Sequence, residues 1–315
     1  VNAMLRLIAA QQGGVFSRRQ ALDSGCTPDQ IVRYLAEGRW ERIRRGQYAE
    51  PVDLSATRSW DRVRWEHRRR LHAVMNCLRA GSVAVSHQSA LVLHGLPLWG
   101  LDLSRVHVNS LDGQSGGLVA GVQHHLGKLT DADLTEVEGR LVTTVPRAMV
   151  ESACTTSFEV GVVSIDAALR EHDIGDEAVQ NLLRVSEFWP GGPTARAALR
   201  FGNRLSESVG ESRLRVLLRE HGLPEPSLQA EFHDADGFVG RVDFHFPEYD
   251  TVVEFDGQLK YDGAGSGVLI REKRREDRLR ALGLHVVRTD WSDLSRPAHL
   301  MATVRQALTR EKRAA

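Results

Sequence analysis

The chain has 315 residues, 42% of them hydrophobic, which suits two or three compact units and excludes a disordered or collagen-like polymer. Its 41 Lys plus Arg balance its 41 Asp plus Glu, excluding a uniformly basic protein, and three scattered cysteines exclude a disulfide scaffold. Cys26, Cys77 and Cys154 match no CxxC spacing, the opening VNAMLRLIAAQQGG has too short an apolar run for a secretory signal, and no stretch approaches the roughly 20 apolar residues of a membrane span. A reduced, cytoplasmic protein is expected.

The neutral balance hides an asymmetry. Residues 1–80 carry 15 Arg and no Lys against 8 acids, residues 81–200 carry 8 basic against 14 acidic groups, and residues 201–315 carry 18 against 19. An Arg surplus at one end is the footprint of a phosphate-binding module, because guanidinium offers a planar fork of donors to phosphate oxygens. A solvated helix face gives the same count.

In chain order, residues 3–12 read as a short amphipathic helix stopped at Gly13-Gly14. SRRQALDSG reads as a second, capped by Ser17 and closed at Gly25, and TPDQIVRYLAEG as a third, with Thr27 as cap, Pro28 in the first turn and Gly38 as stop. WERIRRGQYAE then alternates around Arg45-Gly46 as a small β-wing does. Two short helices on a tight turn followed by a wing make a winged helix-turn-helix. The run GGVFSRRQALDSGCTPDQIVRYLAEGRWERIRRGQYA resembles the N-terminal winged helix of AbiEi-type antitoxins. That resemblance implies that Thr27, Gln30, Arg33 and Tyr34 face a DNA groove while Arg42, Arg44 and Arg45 hold phosphates.

Residues 60–78 read as a long Arg-rich helix linking domains, with Val63, His67, Leu71, Val74 and Leu78 on its apolar side. From Ala80 to Trp189 come short strands (VAVSH, RVHVNS, LVTTV) mixed with helices, an α+β middle domain. The phrase SHQSALVLHGLP there resembles the second domain that accompanies AbiEi-like winged helices. His87 and His94 sit seven apart and His124 adjoins His125, but neither set has a third ligand at metal spacing, so packing or surface roles are expected. Trp189-Pro190-Gly191-Gly192-Pro193 marks a flexible approach, over Trp189–Arg204, to the last domain. The expected division is 1–55, 56–200 and 201–315.

Residues 204–221 read as a helix with Glu207 and Glu211 on a stripe shared with core leucines. Two strands, SLQAEFH and FVGRVDFHF, join through Asp234-Ala235-Asp236-Gly237 as a hairpin, and TVVEFDG makes a third. Asp243, Glu254 and Asp256 then lie on adjacent strands, where crowded carboxylates ask for a compensating cation; hard oxygen ligands select Mg²⁺ or Mn²⁺. RVDFHFPEYDTVVEFDGQLKY with REKRREDRLRALGLHVVRTDW resembles the very-short-patch-repair branch of the restriction-endonuclease-like PD-(D/E)XK nucleases. The resemblance implies an α/β core in which Glu211, Asp243, Glu254 and the carbonyl of Phe255 hold metal. Asp256 stands where the signature has lysine, leaving Lys260 or Lys273 to meet water or phosphate. Arg271, Arg274, Arg275, Arg278 and Arg288 are further candidates for the DNA backbone.

The whole therefore reads as a multidomain α/β and α+β protein. The expected function is a Mg²⁺-dependent endodeoxyribonuclease for repair or defence, acting on single-stranded, nicked or duplex DNA; an RNA substrate would use the same centre. The alternative is a non-catalytic, DNA-binding regulator of AbiEi antitoxin type with a toxin partner, its nuclease-like fold kept as a platform.

Overall fold

A computed structural model describes residues 3–113, 116–257 and 266–309. The chain is a mixed α/β protein in two compact units, Val1–Ser157 with Ile174–Arg196, and Phe158–Asp173 with Ala197–Ala315.

The first unit opens with α1 (Ala3–Ala10), β1 (Val15–Ser17), α2 (Arg18–Asp23), α3 (Pro28–Ala36), β2 (Glu41–Arg44) and β3 (Gln47–Ala49). Ser17 and Thr27 cap α2 and α3, and Gln20 and Gln30 answer each cap in a reciprocal capping box, which is why these short helices start where they do. The strands pair in the order β1-β3-β2, and the β2–β3 turn is closed by Gly46 at φ +74°, a left-handed conformation glycine adopts without strain. Leu5, Phe16, Ala21, Ile31, Trp40 and Tyr48 fill the core, with Phe16 edge-on to Trp40 at 4.7 Å.

Next come α4 (Ser59–Met75), β4 (Val83–Val85), α5 (His87–Leu93), β5 (Val106–Ser110), β6 (Gly117–Val119), β7 (Val122–His125), β8 (Leu134–Val137), β9 (Arg140–Thr143) and α6 (Val145–Cys154). After α7 (Phe158–Glu171), which belongs to the second unit, α8 (Asp176–Val185) returns to the first. The six strands order as β6-β7-β5-β4-β9-β8, with β5/β7 and β4/β9 parallel. The arginines of α4 serve the fold. Arg69, only 4% exposed, donates to Glu41 (2.5 Å) and the Glu50 carbonyl (3.0 Å) and stacks on Trp65. Arg68 and His72 both reach Glu138, Arg70 donates to the carbonyls of Leu103 and Ser104, and Arg64 to that of Gly95. The basic surplus counted in residues 1–80 is thus partly engaged by internal acceptors.

Helix α9 (Gly192–Phe201) runs from the first unit into the second, which continues through α10 (Val209–Glu220), β10 (Ser227–Asp234), β11 (Gly237–Phe246), β12 (Thr251–Asp256), α11 (Ser266–Ala281), β13 (His285–Asp290), α12 (Trp291–Leu294) and α13 (Pro297–Leu308). Its sheet runs β10-β11-β12-β13, antiparallel except for β12 with β13, and α11 provides the crossover a parallel neighbour needs. Val252 and Val286 join one hydrophobic cluster while Val253 and Val287 join another, so β12 and β13 are covered on both faces.

Two expectations need correction. The stretch expected to be flexible contains α9, because Pro193 falls in its first turn, where the missing N–H has no partner to lose. The helix expected from residue 204 begins instead at Val209, with Ser208 as its cap, which puts Glu207 outside the helix.

Candidate functional site

In the N-terminal module the expected DNA-facing residues divide by their contacts. Thr27 and Gln30 are joined to each other: Thr27 Oγ1 accepts from the Gln30 amide (3.2 Å) and Gln30 Oε1 from the Thr27 amide (2.8 Å). Tyr34 is half-buried, edge-on to Trp40 at 5.1 Å, with Arg39 stacked over its ring at 4.2 Å. Arg33 is exposed and only loosely paired with Glu37, at 3.9 Å. On the hairpin, Arg42 and Arg45 are exposed and Arg44 half-exposed, and the three form no ion pair among the described residues.

In the second unit the acids fall into two hydrogen-bonded groups that adjoin at Asp243 and β12. The first joins α10 to the hairpin. Glu211, 6% exposed, accepts from the Glu207 amide (2.9 Å), from Ser208 Oγ (2.8 Å) and from Gln229 Nε2 (3.1 Å). Gln229 Nε2 also reaches Asp243 Oδ1 (3.4 Å), and Asp243 Oδ2 accepts from the Phe255 amide (2.8 Å). Burial, reinforced by the nearby Asp243 charge, pushes the Glu211 carboxyl up to about 7. Gln229 holds a left-handed backbone (φ +53°), a strained conformation of the kind that gathers at functional sites.

The second group is an ion-pair network. Arg275 donates to both oxygens of Glu254 (2.7 and 2.8 Å) and to Glu272 (2.6 Å); Arg288 donates to Asp256 (3.1 Å), Glu272 (2.7 Å) and Glu276 (3.0 Å). Burial raises the Glu254 carboxyl against the opposing pull of Arg275, whereas hydrogen bonds from Arg275 bring that of Glu272 down to about 2. Asp256, at the position where lysine was expected, is therefore the partner of Arg288. Arg278 is held by Asp234 and by the carbonyls of Phe238 and Gly237. Arg271, Lys273 and Arg274 are exposed on α11. Lys260 lies outside the described residues.

Among the described residues, the one group of three or more His, Cys, Asp or Glu whose ligand atoms all lie within 4.8 Å of one another is neither of these: it is His87, His107 and His125. Sequence spacing could not show it, because the three come from α5, β5 and β7.

Two curated relatives are the uncharacterized proteins MT2308 and Rv2248 of Mycobacterium tuberculosis (strains CDC 1551 / Oshkosh and ATCC 25618 / H37Rv), each 32% identical over 184 residues, 58% of this chain and 67% of theirs. The chain belongs to their family. Within this family member, residues 4–51 also match the family described as transcriptional regulator, AbiEi antitoxin. The N-terminal module of α1 to β3 is therefore AbiEi-antitoxin-like. Among solved structures, the RV2827C protein from Mycobacterium tuberculosis covers 63% of this chain and 80% of its own at 15% identity and a TM-score of 0.36, too loose to define a shared fold. No helix among the described residues is long and apolar enough to cross a membrane.

Proposed function

We propose that this chain is a DNA-binding transcriptional regulator of AbiEi antitoxin type. It works in the cytoplasm, with residues 1–55 as a winged helix and a toxin as its protein partner. The observation that carries this reading is the hairpin: Arg42, Arg44 and Arg45 stand together with no acid to neutralise them among the described residues. In a winged helix the second helix of the turn enters the major groove and the wing lies along phosphates, so α3 supplies base contacts and the arginines supply position. Arg33 is the base-reading candidate on α3. Thr27 and Gln30 shape the start of that helix, and Tyr34 seats it on Trp40. The nuclease-like fold of residues 201–315 serves as a binding platform.

A second reading is favoured by one feature. Glu211 and Asp243 share Gln229, and a carboxyl titrating near 7 suits the handling of protons in a restriction-endonuclease-like core. The metal such a core requires, Mg²⁺ or Mn²⁺, does not fit the donors as they stand. The Arg275 guanidinium occupies both oxygens of Glu254, and Glu211, Asp243 and Glu254 do not bring three carboxylate oxygens all within 4.8 Å of one another. The acids of β12 hold α11 and β13 to the sheet instead.

Incubating the full chain with labelled duplex DNA, with Mg²⁺ or with chelator, separates the two readings. The regulator retains the duplex uncut under both conditions. Mg²⁺-dependent cleavage that disappears in Asp243→Ala would replace it with the nuclease.

A further inference from the structure

The three histidines lie in the first unit and touch one another. His107 Nδ1 is 2.9 Å from His125 Nε2, and the His87 ring lies face to face with His125, centroids 3.6 Å apart. His87 and His107 are buried and His125 half-buried, and burial, with neighbouring imidazoles, holds all three well below the usual histidine range: His107 at about 3 and His125 at about 4. Each imidazole can offer one nitrogen lone pair, and here one ring nitrogen from each of the three lies within 4.8 Å of the other two.

We propose that His87, His107 and His125 form a binding site for a divalent transition-metal ion of the zinc class. Three protein nitrogens with a fourth position open is the ligand count of a reactive zinc site, and imidazole donors prefer zinc-class ions over magnesium or calcium.

The surrounding contacts are those that orient ligating imidazoles. His87 Nδ1 faces Ser86 Oγ (3.0 Å) and Glu151 Oε2 (3.7 Å), and its Nε2 makes no hydrogen bond among the described residues. A carboxylate behind a ligating imidazole fixes its tautomer. Glu151 is itself anchored by Arg147 (2.8 Å), Asn109 (2.8 Å) and Thr143 (3.3 Å). On the other side Gln88, 4% exposed, meets His107 Nε2 at 2.8 Å while its own Oε1 has no partner. Gln88 Nε2 also donates to the Asp102 carbonyl (3.4 Å), so metal binding through His107 Nδ1 requires the amide to turn over, giving up that contact for an oxygen that accepts the Nε2 proton of His107.

Two further features agree. His87 sits at φ +52°, a strained backbone for a non-glycine residue, which aims its side chain at the other two. A cavity of about 810 Å³ opens beside the cluster, lined by His87, His125, Asn109, Arg147 and Glu151 among others, with room for water or a small ligand. Coordination requires the stacked His87 and His125 rings to turn about χ2, a soft torsion.

The test loads untagged full-length protein with Zn²⁺, desalts it and measures bound metal by mass spectrometry, with Co²⁺ as a spectroscopic probe. The expected result is one ion per chain and visible d–d absorption in the Co²⁺ form. Both should disappear in His125→Gln and persist in His124→Gln, with unchanged circular dichroism. Glu151→Gln should weaken Zn²⁺ binding by about 10- to 100-fold, the usual cost of removing an outer partner. A desalted wild type with no stoichiometric metal, or a His125→Gln variant that binds as well as wild type, overturns the site.

Discussion

At the residue scale, the chain's titratable groups are visible as letters but their environments are not. The sequence places Glu254 and Asp256 on one strand, as observed, yet gives no sign that Arg275 and Arg288 neutralise them, because those partners arrive through the crossover helix and the parallel strand. His67 is a similar case. Periodicity puts it on the apolar side of α4, and it is indeed fully buried, between the Leu103 carbonyl (2.8 Å) and Ser89 Oγ (2.9 Å). Burial, outweighing the Leu103 hydrogen bond, brings its imidazole down to about 4. The unfolded chain therefore takes up a proton near pH 6.5 that the folded chain refuses until about pH 4, so His67 favours folding above this window and its contribution is lost as pH falls through it. Urea denaturation should show stability falling from pH 6.5 toward pH 4, with up to about 1.4 kcal/mol per pH unit from this residue. His67→Gln should remove that part of the slope; an unchanged slope would show that His67 is not held neutral.

At the element scale, helix starts with strong side-chain signals are legible. Ser17 and Thr27 cap α2 and α3 as expected, and the Asp234–Gly237 turn joins β10 to β11. Less legible are α6, α8 and α9, since glycine and proline at a helix start resemble those of a linker. Close approach of two elements leaves a subtler trace. Gly210, in the first turn of α10, lies against β12, and a Cβ there would meet the Phe255 ring at 2.0 Å. Phe255 is buried and edge-on to Trp291 at 5.3 Å, so it has little room to give. This approach lets α10 carry Glu211 to the sheet beside Gln229 and Asp243. In an open helix Gly→Ala stabilises by about 1 kcal/mol. Here we predict the opposite sign, a destabilisation of about 1–3 kcal/mol from overpacking, read as a lower thermal midpoint. Stabilisation by Gly210→Ala would contradict the packing described.

At the scale of the whole molecule, the order of elements from α1 to β13 follows the sequence expectation more closely than the chemistry does. Hydrophobic periodicity and turn residues act locally and survive in any context, so both ends of the chain can be laid out strand by strand. The histidine cluster, by contrast, exists only because β5, β7 and the start of α5 come together, though His87, His107 and His125 stand 20 and 18 positions apart in the chain. The same holds for charge. A count over residues 1–80 points to phosphate binding, but α4 commits several arginines to internal acceptors, whereas Arg42, Arg44 and Arg45 on the β2–β3 hairpin form no ion pair among the described residues. Arginines that meet phosphate release counterions, so their contribution appears in the salt dependence of binding more directly than in affinity at one condition.

The most direct measurement is therefore the slope of duplex-DNA affinity against salt concentration, by fluorescence anisotropy, for the full chain and for a variant with Arg42, Arg44 and Arg45 all changed to alanine. Binding by the hairpin predicts weaker affinity in the variant and a logarithmic slope shallower by about 3, roughly one for each arginine taken away from a phosphate. A variant that binds duplex with the affinity and salt slope of the wild type would contradict DNA recognition through this module.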